Sequence, residues 1–199
     1  GQTEKCNTPI TVSGRVLVYP FEDRELFKAG DAVCAGPNGT VSIMTREDKI
    51  KLFVNEFNYI KNSNLRKFAE EVIANAGDWF FVEPASTSGK YHPKFSLGDG
   101  GLMRHTRCVA YWATAMAESF NLSQEDSDLL VIAALAHDIK KHDDNGRFLR
   151  NHPLLASDYV CEIMKKFSED IITNEQIQKI CCAVASHMGK WEGTREWVT

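Results

Sequence analysis

Leu129-Leu-Val-Ile-Ala-Ala-Leu-Ala-His-Asp138 is the stretch that decides the fold. An unbroken apolar run of this length fits a helix buried on most of its sides. It closes on an imidazole and a carboxylate, His137 and Asp138, which it holds at the edge of the core. A buried His–Asp pair without a partner is expensive to desolvate, so a charge-neutralising cation is the simplest explanation. His105 lies upstream, His152 and His187 downstream, so four of the six histidines fall at or near expected helix ends. Any one of them alone reads as an ordinary hydrogen-bonded histidine. Four together beside a buried His–Asp pair make a donor set suited to divalent transition metals.

Working outward, helical periodicity predicts helices over His105–Phe120, Ser127–Lys140, Pro153–Phe167 and Asn174–Met188. Ser123 with Glu125 and Asp126 opens the second, Thr173 with Glu175 the fourth, and Asn151 or its neighbours cap the third. Gly100–Gly101 lets the backbone turn tightly and puts His105 in the first turn of its helix, on one face with Cys108, Val109, Trp112 and Met116. Trp112 and Met116 read as core, as do Trp79, Phe80 and Phe81. Further upstream, Thr45 with Glu47 and Asp48 starts a helix with an apolar stripe of Ile50, Phe53, Val54, Phe57 and Ile60. A second stripe of Leu65, Phe68, Ala69, Val72 and Ile73 is ended by Gly77, and Pro84–His92 is a loop by composition.

Residues 1–45 differ in kind. Thr11–Tyr19 alternates like a strand, and Gly30–Cys34 and Thr40–Met44 are two more candidates joined by Gly36-Pro-Asn-Gly39. The expected architecture is mostly α: a small N-terminal β-hairpin module over 1–45, then an all-α domain over 46–199. The β segment around Gly30–Thr45 resembles short β segments attached to bacteriophage structural proteins, which implies docking or oligomerisation.

The net charge of −4 argues against a broad nucleic-acid-coating surface. Apolar residues at 43% provide for a substantial core. The six cysteines show no CxxC spacing and read as reduced thiols, with Cys108, Cys161 and Cys181 on or beside apolar helix faces. No stretch approaches a membrane span or a signal peptide. The expectation is a soluble cytoplasmic protein with no membrane partner.

Gly100-Gly-Leu-Met-Arg-His-Thr106, Leu130–Lys141, Asn151-His-Pro-Leu-Leu-Ala-Ser157 and Ala185-Ser-His-Met188 resemble, in order, the H…HD…H…H pattern of the HD superfamily of metal-dependent phosphohydrolases. The likeness spans roughly Pro84 to Trp191, and Pro84–His92 ahead of the double glycine is similar to the entry loop of phage and bacterial members. Lys141 matches the lysine of the HDxxK variant, although Lys140 stands where that variant usually has glycine.

The resemblance implies His105, His137 and Asp138 as ligands of a first metal, with Asp138 bridging to a second held by His152 and His187. It implies Lys141 and His92 facing the phosphate, with Arg104 or Arg147 offsetting charge on its oxygens. One or two divalent ions (Mn, Fe, Co, Ni or Zn, with Mg the poorer match to imidazole) would activate water. Asp138 or a nearby acid would take the water's proton. Lys141 has an ordinary alternative as a helix-end cation. The implied substrate is a phosphoester of a nucleotide or a nucleic-acid end, in a bacterial or phage-infected cell.

The family also uses a distal aspartate. This sequence has none beyond Asp170, and Asp143, Asp144 and Glu192 match no ligand position. Two expectations stand beside each other: a domain lacking its last helix, or a catalytically weakened HD-fold protein that binds or sequesters a nucleotide. A third is that the β module sets the role and the helical body is cargo.

Overall fold

The computed structural model describes residues 44–86, 92–143, 147–168 and 170–189, and the backbone of 10–12 and 15–17. Two strands, β1 (Ile10–Val12) and β2 (Arg15–Leu17), pair antiparallel with Ile10 opposite Leu17. They divide the stretch expected to be one strand. The other two expected strands lie outside the described residues apart from Met44, which is buried and in no strand. Beyond this short strand pair the expected β module over 1–45 is unsupported, and the described body is helical.

Helix α1 (Arg46–Lys51) starts as expected, with Thr45 and Asp48 forming a reciprocal capping box. The single helix expected to follow is broken at Phe53, where the backbone leaves the helical region (φ −121°, ψ 13°) before α2 (Val54–Phe57). Tertiary packing overrides local periodicity here. The break seats the Phe53 ring against Phe80 and Phe81, with centroids 6.0 and 6.2 Å away, and leaves Val54 of the expected stripe exposed.

Helix α3 (Ser63–Ala74) is capped by Asn62, whose side chain accepts from the Asn64 and Leu65 N–H groups. The connection entering it is held from outside. The buried Asp128 carboxylate accepts the backbone N–H of Lys61 (3.0 Å) and of Asn62 (2.8 Å). Asp128→Ala leaves both donors without that acceptor and is expected to remove about 2 kcal/mol. Differential scanning calorimetry should then read a melting temperature lower by about 4–8 °C, and an unmoved transition would refute the role.

Helix α4 (Trp79–Val82) is wholly buried, as expected of its aromatics. Helix α5 (Gly101–Ser119) begins four residues earlier than periodicity predicts, so His105 sits in its second turn. Gly100 at its N-cap holds a left-handed φ of 69°, a conformation that favours glycine. Helix α6 (Gln124–Ala136), with Ser123 as N-cap, stops before His137. Helix α7 (His152–Ile163) runs into a π turn over Met164–Ser168, and the Asn151 side chain makes no capping bond. Helix α8 (Asn174–Ser186) is capped by a box between Thr173 and Gln176, not Glu175.

Helix α6, apolar on every side from Leu129 onward, packs against α3, α5, α7 and α8. One contiguous core runs from Met44 to Val184, so α1–α4 share it with α5–α8. A buried ion pair, Arg107 Nε to Glu56 Oε1 at 2.9 Å, ties α5 to α2. Trp112 and Met116 are not core: they are 59% and 52% exposed. Their face of α5 leads from His105 to the surface, so sharing it with a ligand-type residue marked the open side of the helix. Among the described residues Cys108, Cys161, Cys181 and Cys182 are free thiols. Cys161 and Cys181 meet at 3.1 Å between α7 and α8, where burial pushes the Cys181 thiol up to about 12. No described helix is long and apolar enough to cross a membrane.

Candidate metal centre

Three histidines sit at helix ends and bind back to their own chain. The ring Nδ1 of His137, beyond the last turn of α6, lies 2.7 Å from the Ala134 carbonyl oxygen. His152 Nδ1, at the start of α7, is 2.9 Å from the Leu149 oxygen, and His187 Nδ1, after α8, is 2.7 Å from that of Val184. A carbonyl oxygen only accepts, so each Nδ1 carries the proton and donates it. Each Nε2 is then a bare lone pair, the arrangement in which metal-ligating imidazoles are usually held.

Those lone pairs converge. His137 Nε2 stands 3.2 Å from His105 Nε2, and His152 Nε2 stands 3.3 Å from His187 Nε2. Asp138, whose side chain is 2% exposed, lies between the two pairs. Its Oδ2 is 3.3 Å from His137 Nε2 and 3.6 Å from His105 Nε2. Its Oδ1 is 3.1 Å from His152 Nε2 and 3.6 Å from His187 Nε2. Burial alone pushes the Asp138 carboxyl up. The surrounding His137, His152 and His187 outweigh that and hold it well below the usual carboxylate range. Burial, reinforced by His137, pushes His105 down to about 3, so its imidazole is neutral at pH 7.

The bare His152 and His187 nitrogens, 3.3 Å apart, cannot bond each other. Opposed across a carboxylate oxygen they repel, and a cation between them turns repulsion into coordination. The residues therefore fit a divalent transition metal, in two groups that share one residue: His105, His137 and Asp138, and Asp138, His152 and His187. Each carboxylate oxygen serves one group.

The cluster forms the floor of a cavity of about 420 Å³ lined by all six histidines of the chain. His92 lines it as expected. Its ring stands edge-on to His105 at 4.8 Å, and its buried Nδ1 has no hydrogen-bond partner among the described residues. Burial, then Lys141, pushes its pKa down. Lys141 is also on the wall, but its ammonium lies 2.6 Å from Asp138 Oδ2.

The two arginines expected at the phosphate do not line the cavity. Arg104 donates to the carbonyls of Phe95, Asp99 and Leu97 and clamps the segment ahead of α5. Arg147, its side chain 79% exposed, pairs with Asp143 at 2.9 Å. Asp143, engaged there, supplies no ligand to either group. Asp144, Glu192, Trp191 and Trp197 lie outside the described residues. His142 was not anticipated. Buried on the wall between the rings of Trp79 and Phe148, it follows the expected helix end at Lys140, and only its place four residues after Asp138 hinted at it.

The family model for the HD domain matches residues 102–198. Nothing matches among curated proteins or among solved structures. With four histidines and one aspartate gathered in the H…HD…H…H order, residues 102–198 of this chain are an HD domain, of the superfamily of metal-dependent hydrolases.

Proposed function

We propose that this chain is a metal-dependent phosphohydrolase or phosphodiesterase acting on a phosphoester of a nucleotide or nucleic-acid end. The observation that carries the reading is Asp138, one buried carboxylate with a histidine pair on each oxygen. When bound there, divalent ions lower the pKa of water and offset charge on a phosphoryl oxygen. The chain's own residues do the rest. His137, His152 and His187 keep their Nε2 atoms aimed by donating Nδ1–H to carbonyls. Lys141 brings a buried positive charge to the same cavity, where it complements charge developing on a phosphate. His92 offers a polar nitrogen that nothing described in the protein engages. We assign the catalytic domain to residues 46–199, because α1–α4 complete its core and Ala85, Ser86 and His92 complete its cavity. Residues 1–45 are proposed as an appendage.

The test is metal analysis followed by assay with bis(4-nitrophenyl) phosphate and Mn. We expect two bound ions per chain and hydrolysis abolished by chelator; a protein that takes up no metal refutes the reading. His152→Ala removes one pair's first member and leaves the other group whole, so the count should fall from two to one. An unchanged count would mean that His152 is no ligand. A second reading, a nucleotide-sequestering protein with little turnover, is favoured by one feature: among the described residues Asp138 is the only carboxylate on the cavity wall. Bound metal and bound nucleotide without hydrolysis would select it.

A further inference from the structure

One wall of the cavity is unlike the rest. Phe148 lines it, yet the residue is 52% exposed. Its position is fixed by backbone. Residues 142 and 148 form an antiparallel bridge, the Asp143 N–H donates to the Arg147 carbonyl at 2.9 Å, and the Leu149 N–H donates to Lys141 at 2.8 Å. The Arg147–Asp143 ion pair closes the same loop from outside. The ring leans on His152, with centroids 5.6 Å apart, and on His142 at 6.3 Å. An aromatic ring fixed by its main chain, half open to solvent and next to a cluster of polar donors, is a ready stacking surface. Met188 and Ala85 add the other apolar parts of the wall.

From this we infer that Phe148 is a specificity-determining residue, which stacks on a flat ring carried by the substrate while the phosphoester lies over Asp138. The cavity then selects phosphoesters of aryl or heteroaromatic groups over aliphatic ones, and its 420 Å³ suits one ring-bearing phosphoester in the small-molecule range. The inference rests on the phosphoester reading above and adds the residue that selects a flat ring in the organic group.

Binding separates the two claims without requiring turnover. The Mn-loaded full chain is titrated calorimetrically with inorganic phosphate, phenylphosphonate and cyclohexylphosphonate; the last two are alike in size and differ in flatness. We expect all three to bind, with phenylphosphonate about fivefold tighter than cyclohexylphosphonate, the excess that ring stacking gives beyond burial. Phe148→Ala and Phe148→Leu should remove that preference at unchanged metal content, and Phe148→Trp should keep it. Equal binding of the two phosphonates by the unaltered protein, or a preference that survives in both Ala and Leu variants, overturns the inference while leaving the phosphoester reading intact. Failure of inorganic phosphate and both phosphonates to bind overturns the phosphoester reading, and this one with it.

Discussion

Asp138→Ala is expected to lose both metal ions and to lower phosphodiester hydrolysis at least about 10³-fold, equivalent to ~4 kcal/mol of barrier. The carboxylate is the one member common to the two groups, so its loss is not shared out between them. Each pair would keep two imidazoles and lose its only anionic ligand. Asp138 also neutralises Lys141 at 2.6 Å in a setting where both side chains are almost wholly buried. Removing one partner of a buried pair leaves an uncompensated charge at a cost of about 3–5 kcal/mol, so the metal-free variant should melt earlier as well.

The two consequences separate experimentally. Asp138→Ala combined with Lys141→Met should recover most of the melting temperature and none of the metal, because it removes the stranded charge without restoring a ligand. Helicity by far-ultraviolet circular dichroism should stay near the unaltered value at 25 °C, since α5–α8 are joined through Leu102, Ile132, Val160 and Ile180, each fully buried. Full metal content and activity in Asp138→Ala would refute the centre.

The cluster of four histidines and Asp138 was legible from sequence because it depends on little beyond order and helix ends: an apolar run must be buried, and whatever ends it lies at the core's edge. The run itself spoke only for a helical body; the HD resemblance rested on the ordered H…HD…H…H motifs around it. What escaped was whatever depends on a second segment of chain. The Phe53 break answers to Phe80 and Phe81, which lie 27 and 28 positions along the chain. Arg104 has the charge to meet a phosphate, but three carbonyls of residues 95–99 surround its guanidinium. Trp112 shares the His105 face, and periodicity reports a shared face without saying whether it is inside. His142 needed the bridge to Phe148, a contact made across residues 143–147 by main-chain atoms, to reveal its place on the cavity wall.

Gly101→Ala is expected to destabilise the protein by about 4 kcal/mol and to loosen the centre from its His105 side. Gly101 is the first residue of α5, where three backbone segments meet. The Ser96 carbonyl accepts the Ala85 N–H at 3.0 Å, the Gly100 N–H reaches Val82 O at 2.7 Å, and the Leu102 N–H reaches Glu83 O at 2.8 Å. A Cβ at residue 101 would lie 2.6 Å from the Ser96 carbonyl carbon, closer still to its oxygen, and 3.2 Å from the Ala85 nitrogen. These are main-chain atoms already committed to one another, so no side chain can swing aside, and overpacking against backbone falls at the severe end of its range. The segments forced apart carry Ala85 and Ser86 on one side and adjoin His92 on the other, while His105 follows one turn later on the displaced helix. Melting should fall by roughly 8–16 °C, and metal titration should show the group of His105, His137 and Asp138 weakened before that of Asp138, His152 and His187. Gly98→Ala is the matched control: nothing lies within 4 Å of a Cβ there, so only its left-handed φ of 70° is strained, at about 1–2 kcal/mol. If Gly101→Ala melts no earlier than Gly98→Ala, the close approach of α5 to Ser96 does not set the position of His105.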